Sequence, residues 1–570
     1  MSRPLTRRQV IQYGIGTVLA APVVAAASPA EGATLDGATR ARLDNASVAP
    51  RARVELSQPT VLSSQQGVLP VTLTAKRATV QMNAPKPVTT YTYDGVVPGY
   101  TWELNAGDLL KVKLVNDLPE SSMGPVPDMD RPHHFTVTNL HTHGLHVSPS
   151  GIADNIFLEV NPGHHQDYEI QLPPDHPGGL FWYHPHHHGS VTQQVRAGMA
   201  GMIVVRGAID RVPEVAAAAE KIMVLQSIEL GADFELLDPI PFPSKEEAFF
   251  PRKKVLYTVN GVLDPTITMR PGEVQRWRMV NAAEGKFLSL TLLDADKKAT
   301  DLNVLAWDGL TLPAPEATGV VMLSSGNRVE MLVKAGAPGT YQLVLTPGSS
   351  QKPTIPGMPD VQYPHAAAST TAMLTADNNM PGMNMPEQDM GMPTMASLAD
   401  IPGELEVRPI LTVVVEGDPT VMALPTALPA WDPPMPAIAK TRKFEFTVQR
   451  EGLEFLSFGV DGHKYDPNRP PYLAKLGTAE EWTLVNAHDP KLMQHAHVFH
   501  IHVNPFKITA INGHPLATPL WRDTFVLTKT DGDSFTFQMH FADYTGKFVE
   551  HCHVLAHEDL GMMEAIQVVP

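Results

Sequence analysis

Gly477-Thr478-Ala479-Glu480-Glu481-Trp482-Thr483-Leu484-Val485-Asn486 is the stretch that decides the fold. Its apolar side chains Trp482 and Leu484 alternate with polar ones, as on a strand with one buried face. Upstream stands Asp461-Gly462, a dipeptide favoured in tight hairpin turns because both residues tolerate positive φ. The same series occurs twice more. Asn260-Gly261, Gly272 and Val280-Asn281 enclose Trp277 and Met279. Asp94-Gly95, Gly107 and Val115-Asn116 enclose Val112 and Leu114. The second Gly and the Asn are nine residues apart in all three copies. Turn dipeptides recur by chance, but a fixed gap with matching apolar positions does not. The sequence therefore predicts an all-β chain of three homologous β-sandwich domains.

The repeats also set the domain spans. The two intervals between the repeated Asn residues are 165 and 205 residues, so the second carries about 40 extra. An odd segment accounts for them. Residues 358–395 hold eight of the 25 Met, together with many Pro, Gly, Asn and Asp and no sustained period. This reads as a loop or insertion, not a core element. The expected organisation is a first domain over 50–210, a second over 215–350, a Met-rich insertion over 351–404 and a third domain over 405–570. The overall composition agrees: 53 Pro and 41 Gly with only 18% charged residues fit many strands joined by turns.

The first 27 residues read as a signal peptide. Arg3, Arg7 and Arg8 precede an apolar stretch from Ile11 to Ala26, and Ala25-Ala26-Ala27 offers a small-residue cleavage site. Thr6-Arg7-Arg8-Gln9-Val10-Ile11 resembles a twin-arginine export signal, which implies the export machinery as a partner and a periplasmic or secreted destination. The apolar run is short of the ~20 residues a membrane span needs.

Two counts exclude much chemistry. The single cysteine, Cys552, permits no internal disulfide, no four-cysteine zinc site and no cysteine-ligated iron–sulfur cluster. A net charge of -17 argues against nucleic acid as a partner. The 24 His are informative by position. Twelve lie between His133 and His188, eleven between His463 and His557, and only His365 lies between these groups. The middle domain holds none, so a site shared between the first and third domains is the simplest geometry.

Within the clusters, four pairs have His-x-His spacing: His141/His143, His184/His186, His500/His502 and His551/His553. Residues i and i+2 of a strand share a face, so each pair can offer two imidazoles to one metal cluster. Imidazole suits Zn, Cu, Fe and Ni. Cys552 lies between two of these His and points the opposite way if the segment is extended. With His557, Met562 and one distant His it makes two imidazoles, a thiolate and a thioether, the blue-copper electron-transfer set.

These motifs resemble those of the three-domain bacterial multicopper oxidases, of laccase and cuprous oxidase type. The resemblance rests on His141-Thr142-His143-Gly144, Trp182-Tyr183-His184-Pro185-His186, His497-Val498-Phe499-His500-Ile501-His502 and the run from His551 to Met562, and it covers about residues 50–570. It implies cupredoxin-like Greek-key β-sandwich or barrel domains and four copper ions. The type 1 copper would take His497, Cys552, His557 and Met562. The type 2 copper would take His141 and His500. The type 3 pair would take His143, His184, His186, His502, His551 and His553. The third motif departs from the family in having Val498 where Pro is usual. His495 stands two residues before His497, and spacing to His500 favours His497.

The resemblance further implies one-electron oxidation of a donor at the type 1 copper and four-electron reduction of O2 to water at the other three. Cys552 would carry the electrons, and Asp154 and Glu558 would relay protons. The electron donor is expected to be Cu(I), or a phenolic or aromatic amine compound. Soft thioether sulfur suits Cu(I), which makes Met383, Met385, Met390 and Met392 candidate Cu(I) sites. A monomer is expected. The rival readings are a copper-sequestering periplasmic protein and a copper-free structural relative. A two-domain copper nitrite reductase lacks the type 3 pairs, and a zinc hydrolase needs three ligands rather than eight paired His.

Overall fold

A computed structural model describes residues 53–120, 132–231, 233–236, 254–347, 408–451, 455–488, 492, 495–528 and 530–570. The expected signal peptide over 1–27, His365 and the candidate Cu(I) sites Met383, Met385, Met390 and Met392 lie outside the described residues.

Each repeat builds the same local structure. At Asp94-Gly95, Asn260-Gly261 and Asp461-Gly462 both residues have positive φ, from 51° to 54° at the first and from 74° to 80° at the second. This is the turn whose twist matches that of paired strands. The first side chain has a second task. Its Oδ1 accepts the backbone N–H of Thr74, Val224 or Glu445 at 2.8 Å in every case. The Asn closing each repeat is equally constrained. The amide of Asn116 donates to the carbonyls of Thr136 and Val160, that of Asn281 to Lys286 and Leu323, and that of Asn486 to His495 and Thr528. These amides tie the end of a central strand to two loops.

The strands form six sheets, two per sandwich. In each sandwich the repeat strand (Leu109–Asp117, Val274–Asn281 or Ala479–His488) runs parallel to one long strand: Val68–Val80, Ala219–Leu230 or Ile438–Glu451. A separate core fills each sandwich, around Trp102, Trp277 and Trp482. The middle sandwich is buried on both faces of Val274–Asn281. Trp277 and Met279 enter its core, while Arg276 and Arg278 face outward to Asp210 of the first sandwich and pair with Glu330.

Two boundaries differ from the sequence reading. The expected start of the third domain at 405 assigns it Arg408–Val415, yet this strand pairs with Gly339–Pro347 and Thr266–Met269 of the middle sandwich. The middle sheet needs it to join those two strands. The Met-rich segment therefore interrupts the middle domain between neighbouring strands instead of separating two domains. At the other end, Glu55 bridges Thr266, so the first described residues also belong to the edge of the middle sheet.

Candidate metal centre

The four His-x-His pairs converge where the first and third sandwiches meet. His141–His143 is a short strand paired with Gly179–His184, so that His141 opposes His184. In the third sandwich His497–Ile501 pairs with Gly546–Cys552, so that His500 opposes His551. Within each pair the ring centroids lie 5.2 to 5.8 Å apart. The two sandwiches then interlock crosswise. His141 stacks on His502 at 3.8 Å, and His143 stacks on His500 at 3.7 Å, with near-parallel rings.

The nitrogens gather in triads with metal-ligand spacing: His143, His184 and His553; His186, His502 and His551; and His141, His143 and His500. All eight side chains are buried. Burial, helped by neighbouring imidazoles, holds the His141, His502 and His553 rings far below the usual histidine range. They are neutral, so each carries a lone pair for a metal. His186 Nε2 lies 3.1 Å from His551 Nε2 and 3.2 Å from His502 Nε2. Three such nitrogens face one another comfortably only around a cation.

The opposite ring nitrogens show the same fit. His141 Nδ1–H donates to Asp154 Oδ2 at 2.9 Å, His184 Nδ1–H to the Pro185 carbonyl at 2.9 Å, and His500 Nδ1–H to the Asp523 carbonyl at 2.8 Å. In all three rings Nε2 is buried with no hydrogen-bond partner among the described residues. One nitrogen anchored and the other bare is the arrangement of metal-binding histidine. Asp154 does more than hold His141, because its Oδ1 accepts Thr142 N–H at 2.7 Å. Glu558 lies 3.4 Å from His186 Nδ1 and 3.0 Å from His551 Nδ1, between two members of one triad. Burial pushes the carboxyls of Asp154 and Glu558 each up to about 7.

Cys552 turns away from these rings. Its sulfur lies 3.6 Å from His497 Nδ1 and 3.6 Å from His557 Nδ1, and those nitrogens are 3.2 Å apart. An ion bound to three donors in a plane at ~2.0–2.3 Å would space them by about 3.5–3.9 Å, close to this triangle. His495 offers no atom to it and instead meets the edge of the His557 ring. Val498 N–H donates to the Cys552 sulfur at 3.4 Å, one of the contacts that tune such a thiolate. Met562 is fully buried, and its backbone bonds to both Cys552 and His557. Burial raises the Cys552 thiol to about 12, so a metal is needed to deprotonate it.

Sequence spacing did not reveal the residues that brace the rings from behind. Thr524 Oγ1 lies 3.2 Å from His143 Nε2, and Ser325 Oγ lies 3.3 Å from His553 Nδ1. Asp523 Oδ1 is 3.6 Å from His143 Nε2. Ser325 belongs to the middle sandwich, which the histidine count had left without a role. His146, outside all four motifs, joins the first and third domains through the Val503 carbonyl and Asp543.

Comparison with known proteins decides the family. Two family models described as "Multicopper oxidase" match residues 133–209 and 432–570, the stretches that carry all the clustered donors. The chain belongs to the multicopper oxidase family. Among its relatives is the multicopper oxidase mco of Staphylococcus aureus, 22% identical over 540 residues, covering 90% of this chain and 92% of the relative. A laccase of Haloferax volcanii is 26% identical over 513 residues, covering 85% and 79%. A multicopper oxidase structure from Campylobacter jejuni, described as a metallo-oxidase, superposes with a TM-score of 0.66 at 21% identity, covering 95% of this chain and 98% of that one. The sandwiches are thus cupredoxin folds. The multicopper oxidase described here is an oxidoreductase, and copper is the metal its donors are built to hold.

Proposed function

We propose that this multicopper oxidase couples one-electron oxidation of a donor at the Cys552 site to four-electron reduction of O2 to water at the imidazole cluster. The observation that carries this reading is covalent. Cys552 belongs to one donor group, and its neighbours His551 and His553 belong to two of the three imidazole triads. His497, Cys552, His557 and Met562 would hold a type 1 copper, and His141 and His500 a type 2 copper. His143, His184 and His553 would hold one type 3 copper, and His186, His502 and His551 the other. Copper, when bound, supplies reversible one-electron chemistry at the sulfur site and O2 reduction at the cluster.

The chain's own groups handle the protons. Glu558 touches two rings of one triad, and Asp154 touches the ring of His141, so each can pass a proton to the cluster. Asp154 also fixes a tautomer. In Asp154→Asn the amide can donate to His141 Nδ1, which moves the ring proton to Nε2 and blocks the metal-binding nitrogen. Copper retention at His141 should fall ~10–100-fold while the blue colour of the Cys552 site persists. Metal analysis after dialysis checks this, and wild-type retention would refute the tautomer argument.

Cu(I) is the favoured donor, on the thioethers of Met383, Met385, Met390 and Met392, with phenols or aromatic amines as the alternative. O2 uptake with Cu(I) and with a simple phenol, for the full chain and for a chain lacking residues 358–395, separates these. Selective loss of Cu(I) turnover is expected, and unchanged Cu(I) turnover rejects the Met-rich segment as a collector. The reading includes a monomer, checked by light scattering, and twin-arginine export. Replacing Arg7 and Arg8 by Lys should then leave the protein in the cytoplasm.

A further inference from the structure

We infer that Arg328 of the middle domain is the positioning residue that sets His143 and His500 face to face across the first–third interface. The inference rests on the function proposed above and gives the copper-free middle domain a part in it. A guanidinium has five N–H donors in a rigid planar fork. Arg328 is fully buried and uses every one. Nε–H donates to the Leu180 carbonyl at 3.2 Å. Nη1 donates to the Gly326 carbonyl at 3.2 Å and to Asp523 Oδ1 at 2.7 Å. Nη2 donates to the Asp308 carbonyl at 3.0 Å and to Asp523 Oδ2 at 2.5 Å.

The acceptors come from all three domains, and three of them, Leu180, Asp523 and Gly326, lead to the cluster. Leu180 lies on the strand that ends in His184. The Asp523 carbonyl holds His500 Nδ1–H, and Thr524, which donates to Asp523 Oδ1, meets the His143 ring. Gly326 abuts the metal-binding rings. A Cβ there would sit 3.1 Å from both His143 and His553. One planar fork thus fixes the strand of His184, the segment behind His500 and the wall beside His143. A lysine carries the charge but not the fork.

A buried ion pair can also be a general structural element. The molecule supplies a control for that. Arg276 is buried at the first–middle interface with Asp210 and Glu330, and among the described residues its side-chain hydrogen bonds reach none of the candidate ligands. Full-length Arg328→Lys and Arg276→Lys should be loaded with copper. Copper per chain, blue absorption and the paramagnetic resonance signal of type 2 copper are then compared with wild type. Arg328→Lys is expected to keep the blue absorption, lose the type 2 signal and about one ion per chain, and reduce O2 ~10–100-fold more slowly. Arg276→Lys should keep all three.

An unaltered type 2 signal in Arg328→Lys overturns the inference. So does equal loss from both copper sites in the two variants, which would mark a general structural effect. Should Arg328→Lys not fold, Asp523→Asn weakens the same fork and is expected to show the same selective loss; an intact signal there again overturns it. A wild-type chain that takes up no copper overturns the proposed function as well, which separates that failure from failure of the inference alone.

Discussion

Cys552→Ser is expected to give a folded, copper-binding protein with neither blue colour nor turnover. The sulfur is the only soft anionic donor in its triad, since His497 and His557 supply imidazole. A serine hydroxyl is a poor copper ligand at neutral pH and cannot replace a thiolate. The fold should survive. Cys552 lies in the core of the third domain, and the hydroxyl meets a ready donor in Val498 N–H. Burying one partly satisfied hydroxyl costs about 1–3 kcal/mol, which a core of this size tolerates. The cluster keeps all eight imidazoles, so copper should still bind there. Absorption spectra, metal analysis and O2 uptake on one preparation test this together. A blue, active variant would remove Cys552 from the mechanism.

Gly144→Ala should have the largest effect on stability. Gly144 follows His143 with φ at +87°, a conformation that strains any L side chain. For alanine that strain is about 1–2 kcal/mol. The new methyl would lie 2.6 Å from Asp523 Oδ2 and inside contact distance of Arg328 Nη2. Relief requires parting a fully buried ion pair, at about 3–5 kcal/mol. The sum is on the order of 5 kcal/mol, concentrated where the three domains meet. Calorimetry should show an earlier first transition, because the first–third contact opens before the separate cores melt. A wild-type trace would show that the interface yields to a methyl group without cost.

The repeat was legible because its signals are local. Asp94-Gly95, Asn260-Gly261 and Asp461-Gly462 need positive φ at both residues, and few dipeptides accept that. The His-x-His pairs were legible for a similar reason, since two-residue spacing puts neighbouring rings side by side. The strand end at Arg408–Val415 was not. Its partners are fixed by which edge of the middle sheet stands open, and an insertion between neighbouring strands hides their adjacency in sequence. Arg328, Asp523, Thr524 and Ser325 were not legible either. They reach the rings through carbonyls, hydroxyls and ion pairs across domain boundaries, and no local spacing encodes such contacts. The doublet Arg276 and Arg278 shows the same limit, because its alternation with Trp277 and Met279 marks a strand but not what lies beyond its outer face.

The crosswise stacking of His141 on His502 and of His143 on His500 has a consequence for the order of events in the cell. Every triad in the imidazole cluster draws rings from both ends of the chain. A nascent chain that has folded only its first two domains owns two of the three rings in two triads, one of three in the other, and a complete set in none. Domains fold as units in the order of their synthesis. Metal capture therefore has to wait until the C-terminal segment that carries His551 and His553 has closed against the first domain. Copper then acts as a seal on a finished chain, and a truncated or misassembled one goes without it.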